Sequence, residues 1–96
     1  MKILAIIDVA SGANLTELRA HLAGEVRGSW DLFASGVLRE AYATSTPTRV
    51  VFVLEAEGAA DAEARLSTLP LVAAGMMRIE LIELRPFVNW SLLFAK

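Results

Sequence analysis

Apolar residues run almost unbroken through Lys2–Val9 (KILAIIDV) and residues 49–56 (RVVFVLEA), where a strand with one wet face would alternate greasy and polar. Both segments predict β-strands covered on each face. Between them the period changes. Leu15, Leu18, Leu22, Val26, Ser29 and Phe33 recur at helical spacing, with Glu17, Arg27 and Asp31 off the stripe, which predicts a helix over Leu15–Ala34. Ser11-Gly12-Ala13-Asn14 makes the turn into it, with Asn14 or Thr16 as the cap, and Gly36 suits a left-handed stop. Gly24 and Gly28 are poor helix formers at mid-span and mark a bend or a close backbone approach.

A second strand is expected over residues 37–44, joined by Ser45-Thr46-Pro47-Thr48 to the strand over 49–56 as a hairpin. A second helix reads over 58–68 with Ala59, Ala62, Leu66 and Leu69 inward. Pro70 closes it, Gly75 precedes a last strand over 76–84, and Pro86 stops that strand. The order is β-α-β-β-α-β, the split or ferredoxin-like α+β arrangement. Right-handed crossovers put both helices on one face of a four-stranded antiparallel sheet. The other apolar face is then bare, so the pattern predicts two sheets meeting as a dimeric α+β barrel, a homo-oligomer. The chain is expected to be one domain, 1–96. Its tail, 86–96, contains FVNWSLLFA, too apolar to stay in water, and is expected to dock on a partner subunit.

Composition narrows the function. With 96 residues, 55% of them hydrophobic, the chain is greasy for a small domain. Even so, Asp8, Glu55, Glu57, Arg78, Glu80 and Glu83 interrupt every apolar run before it reaches the ~20 residues a membrane span needs. The N-terminus lacks the apolar stretch and cleavage site of a signal peptide, so a cytoplasmic location is expected and no membrane partner. Nine basic residues are scattered among eleven acidic ones, and without a basic stripe nucleic acid is not an expected partner. No cysteine and a single histidine exclude thiolate chemistry and a multi-histidine metal centre within one chain. No phosphate-cradling glycine loop follows a strand, and no serine stands in a nucleophile elbow. Catalysis, if present, is expected to be proton transfer on a small-molecule ligand in an apolar pocket, with no cofactor and no metal.

Polar residues intrude at three places. On the first helix His21 and Glu25 are i,i+4 neighbours, a workable proton-transfer pair or a solvated pair on the helix flank. Glu25 flanks the apolar stripe and His21 points further outward. On the second strand, alternation puts Arg39 with Val37, Ala41 and Ala43, and Glu40 and Tyr42 with Leu38 on the opposite face. Arg39 either grips a carboxylate or enolate with its planar fork, or pairs with Glu25 or a chain-end carbonyl. Tyr42 either hydrogen-bonds a ligand carbonyl or fills an interface. On the last strand Arg78 and Glu80 are expected to pair across the barrel seam. Trp30 belongs to an apolar pocket wall or to the core, and Asp8 reads as a turn residue.

Two segments carry a resemblance. Leu32-Phe33-Ala34-Ser35-Gly36-Val37-Leu38-Arg39-Glu40-Ala41-Tyr42 and Leu69-Pro70-Leu71 with Met77-Arg78-Ile79-Glu80-Leu81 resemble the muconolactone isomerase-like branch of the dimeric α+β barrel superfamily. The resemblance implies a cofactor-free pocket between sheet and helices and assembly as dimers or larger rings. It implies proton transfer on a small unsaturated or aromatic acid or lactone, with Arg39 holding the carboxylate, Glu25 as general acid/base and His21 in reserve. The apolar tail departs from that pattern. A cofactor-independent monooxygenase on aromatic polyketides, with Trp30 and Tyr42 lining a drier cavity, is the other enzymatic expectation. A non-catalytic ligand-binding or assembly module is a third, and haem held by His21 a minor fourth.

Overall fold

The structure, a computed structural model, describes residues 1–95; Lys96, the end of the expected tail, lies outside the described residues. The elements are β1 (Lys2–Val9), α1 (Leu15–Ala34), β2 (Leu38–Ser45), β3 (Thr48–Glu55), α2 (Ala59–Leu66), α3 (Pro70–Ala73) and β4 (Met77–Leu84), then a 3-10 segment, Val88–Phe94. The four strands form one antiparallel sheet in the order β2-β3-β1-β4. This is the β-α-β-β-α-β arrangement that the periodicity predicts, with one element added. Pro70 opens a short helix instead of only closing the one before it, because its fixed φ and missing N–H suit a first helical turn.

The register divides the sheet into two faces. Ile3 pairs with Leu54, Ala5 with Phe52 and Ile7 with Val50, and these six side chains lie under the helices. With Leu38, Ala62, Leu66 and Leu69 they build the core. The opposite face carries Leu4, Ile6, Val51, Val53, Ile82 and Leu84, fringed by charge, and no element of the described residues covers it. Asp8 corrects its reading as a turn residue. It is in β1, where Arg78 donates to its two oxygens at 2.9 and 3.2 Å and Arg49 stands 3.8 Å away. Those bonds hold the Asp8 carboxyl below its ordinary range, the Arg78 hydrogen bond most of all.

Asn14 caps α1 by accepting from the Thr16 and Glu17 amides at 3.0 and 3.1 Å. The buried stripe expected of α1 is corrected, because no residue of this helix is buried. Leu22, Val26 and Phe33 are 47, 61 and 47% exposed. Gly24 and Gly28 explain the difference. A Cβ at Gly28 would come 2.8 Å from Leu69 Cδ2, and one at Gly24 would come 3.3 Å from Pro70 Cγ. The helix backbone is drawn against the α2–α3 corner there, and its apolar stripe is left standing off the sheet.

Candidate functional site

The stand-off of α1 makes a wedge. Its narrow side is the glycine contact with Leu69 and Pro70, and its wide side opens over β3 and β2. Inside lies a cleft of about 240 Å³, walled by Ile7, Leu22, Val26, Phe52, Leu69 and Leu71 among others. It continues past Val26 and Ser29 into a groove of about 350 Å³ lined by Trp30, Phe33, Leu38 and Ala41. Trp30 and Phe33 lie with ring centroids 5.4 Å apart, tilted by 31°. The Ser29 hydroxyl donates to the Val26 carbonyl at 2.7 Å, so the wall there is polar in name only.

One ionisable side chain lines the cleft. Glu25 is half-buried, and its Oε1 accepts the Leu71 amide at 2.8 Å. That amide is one of the free N–H groups at the start of α3, so the carboxylate of one helix caps another. Burial pushes the Glu25 carboxyl above its ordinary range, against the pull of the Leu71 amide and of nearby His21. Burial wins because the surrounding wall is hydrocarbon and solvates the ion poorly. A carboxyl of this kind holds its proton closer to neutrality and is suited to exchanging it with a bound ligand.

His21 is partly buried one turn before Glu25, near enough for its charge to bear on that carboxyl, and it lines neither the cleft nor the groove. Trp30 lines the groove. Arg39 and Tyr42 do not line either space. For Tyr42 this is the regular alternation of the strand; for Arg39 the cause is a β-bulge. Leu38 pairs with Leu54 and Glu40 with Val53, leaving Arg39 as the extra residue. The bulge reverses the alternation expected for Leu38, which joins Ala41 on the helix-covered face while Glu40 and Tyr42 take the bare one. The Arg39 Nε donates to the Gly36 carbonyl, and its charge bears on Glu55. The Tyr42 hydroxyl donates to Glu40 Oε1 at 2.6 Å, which raises its pKa.

Leu69 and Leu71 stand in the sequence reading as an inner helix position and part of the resemblance, and their part in shaping the cleft and holding the acid is not legible there. Pro70 was their signal, as a residue that starts helices as readily as it ends them. Among the described residues no group of three or more histidines, cysteines or carboxylates stands close enough to hold a metal, and no helix is long and apolar enough to cross a membrane.

No protein-family model and no curated protein matches the chain. Among solved structures it is similar to the 5-chloro-2-hydroxyhydroquinone dehydrochlorinase TftG of Burkholderia phenoliruptrix AC1100, in complex with 2,5-dihydroxybenzoquinone. The TM-score is 0.68 at 16% identity, over 88% of this chain and 94% of that one. At that identity the likeness establishes the shared fold.

Proposed function

We propose that the chain is a cofactor-free, muconolactone isomerase-like enzyme that moves a proton on a small unsaturated or aromatic ring compound bound between α1 and the sheet. The observation that carries this reading is the Glu25 carboxyl set in an otherwise hydrocarbon cleft, where burial raises its pKa. Glu25 is the general acid/base, His21 adjusts its proton affinity, and Trp30 is a wall against the ring face. The working unit is a homo-oligomer in the cytoplasm. A cavity of ~150 Å³ takes a benzene ring, so about 240 Å³ suits one substituted ring. The dehydrochlorinase with the same fold acts on a small hydroxylated ring, which supports that size class.

Arg39 would hold a substrate carboxylate only after leaving Gly36 and the neighbourhood of Glu55. A neutral lactone, phenol or quinone therefore fits better than an acid. Tyr42 has no part in this reading while its hydroxyl serves Glu40. The hydrocarbon walls also favour, as a second reading, a cofactor-independent monooxygenase, although the cleft is small for a polycyclic substrate. Incubating monocyclic lactones and hydroquinones in D₂O with wild type and Glu25→Gln, followed by NMR, tests the first reading. Wild type should exchange or isomerise a ring proton and the variant should do so at least about 100-fold more slowly. Equal rates in both proteins sink it, and oxygen uptake without exchange transfers the assignment to the oxygenase.

A further inference from the structure

Most of the wall around the Glu25 cleft has packed protein behind it, but one side chain has open space. Ile7, Phe52, Leu69 and Leu71 are buried. Leu22, Val26 and Ser29 stand on the α1 side, where the wedge opens over β3 and β2. Met77 closes the opposite end, at β4. Beyond it, between α2 and β4, lies a hollow of about 510 Å³ lined by Glu63, Ser67, Val72, Ile79 and Leu81 among others, and Met77 lines this hollow as well. Leu71 and Val72 are successive residues of α3, yet the first lines the cleft and the second the hollow. The boundary between the two spaces therefore runs down α3 and through the Met77 side chain.

The backbone around that side chain is held on several sides. The Ala10 amide donates to the Met76 carbonyl at 2.8 Å. The Met76 amide donates to the Leu71 carbonyl and the Gly75 amide to the Val72 carbonyl, each at 3.0 Å. Met77 itself pairs with Val9. With the main chain fixed, the thickness of the partition depends on the thioether. Leu71 is not free to give way, because it is fully buried and its amide holds Glu25. A partly buried methionine is unbranched, turns about three bonds and fills irregular gaps. The cleft of about 240 Å³ suits one substituted ring, and its only closed neighbour space lies behind Met77. The groove past Ser29 does not lift that limit. Trp30 and Phe33 are largely exposed there, so a ring placed against them stays partly in water.

We infer that Met77 is a specificity-determining residue of the site: its thioether ends the cleft and limits the ligand to a single ring, and a shorter side chain lets a second fused ring pass into the hollow between α2 and β4. This rests on the Glu25 cleft being where ring compounds bind, and adds which side chain limits them. Phenol and 1-naphthol, which differ by one fused ring, are titrated calorimetrically into wild type, Met77→Leu and Met77→Ala. One methylene group in an apolar pocket is worth about 10-fold or more, so wild type and Met77→Leu should bind phenol at least about 10-fold more tightly than 1-naphthol. Met77→Ala should tighten 1-naphthol by at least about 10-fold over wild type, while phenol gains nothing. Adding Val72→Phe to Met77→Ala puts a ring in the hollow and should cancel the gain. If Met77→Ala does not fold, Met77→Val, shortened by less, gives the same comparison. Equal binding of the two probes by wild type, no gain for 1-naphthol in the shortened variant, or a gain that survives Val72→Phe overturns the inference. Wild type that binds neither probe overturns both the ring site and its limit. The limit holding in Glu25→Gln beside an unaltered exchange rate sinks the acid alone.

Discussion

A carboxyl 2.8 Å from the Leu71 amide in a hydrocarbon wall serves two purposes, and substitutions separate them. Glu25→Gln keeps an oxygen for the amide and removes the exchangeable proton. Glu25→Ala strands the amide at a cost of about 1–2 kcal/mol, which urea unfolding measures. The pH dependence has a definite sign. The folded pKa of Glu25 is raised, so the folded state binds its proton more tightly than the unfolded chain does. The stabilisation is full below the unfolded carboxyl value and fades as pH rises through the raised one. Asp8 behaves oppositely. Its lowered folded pKa stabilises the protein above the unfolded value and is lost as pH falls through the folded one. Melting temperatures across pH should therefore show Glu25→Gln losing its deficit against wild type as pH rises, and Asp8→Asn losing its deficit as pH falls.

The wedge between α1 and the sheet is a property of two elements and of the glycines where they touch. Gly28→Ala would gain ~1 kcal/mol of helix propensity but force a methyl group into Leu69, a side chain only 1% exposed. Overpacking of this kind costs about 1–3 kcal/mol, so a net loss near 1 kcal/mol is expected in denaturant titration. Adding Leu69→Val should return part of it, since the clash is with a Leu69 methyl. The Arg39 bulge is the other decision made at this scale. Removing Arg39 would restore regular alternation and leave Leu38 and Glu40, then neighbours, on the faces they already hold. Its outcome shows how local rules reach a site, because a strand read as regular turns Arg39 toward the helices.

The whole molecule is governed by two apolar surfaces that no described element covers, the bare sheet face and the tail. At tens of micromolar, light scattering should find the wild type as a dimer or a larger assembly. Ile82→Glu changes an exposed position on that face, 38% exposed, and should leave the fold intact while shifting the mass toward monomer. A variant that stays fully assembled would move the interface off this face.

Hydropathy period alone determined the element order, the antiparallel sheet and the existence of a bare face, since strands and helices write different repeats into the chain and the twist of the sheet permits one handedness of crossover. Glu25 was legible too, as a carboxylate on the flank of an apolar stripe. Tertiary structure decided the rest. The glycine contacts set how α1 rotates and how far it stands off, so a stripe that reads as core lines a cleft. The bulge took Arg39 away from that cleft, and regular alternation keeps Tyr42 on the opposite face. The Leu71 amide that holds Glu25 lies 46 residues further along the chain, and no periodicity records such a contact. Repeats are local sums over neighbours, whereas a site is a meeting of distant segments whose final angles depend on packing.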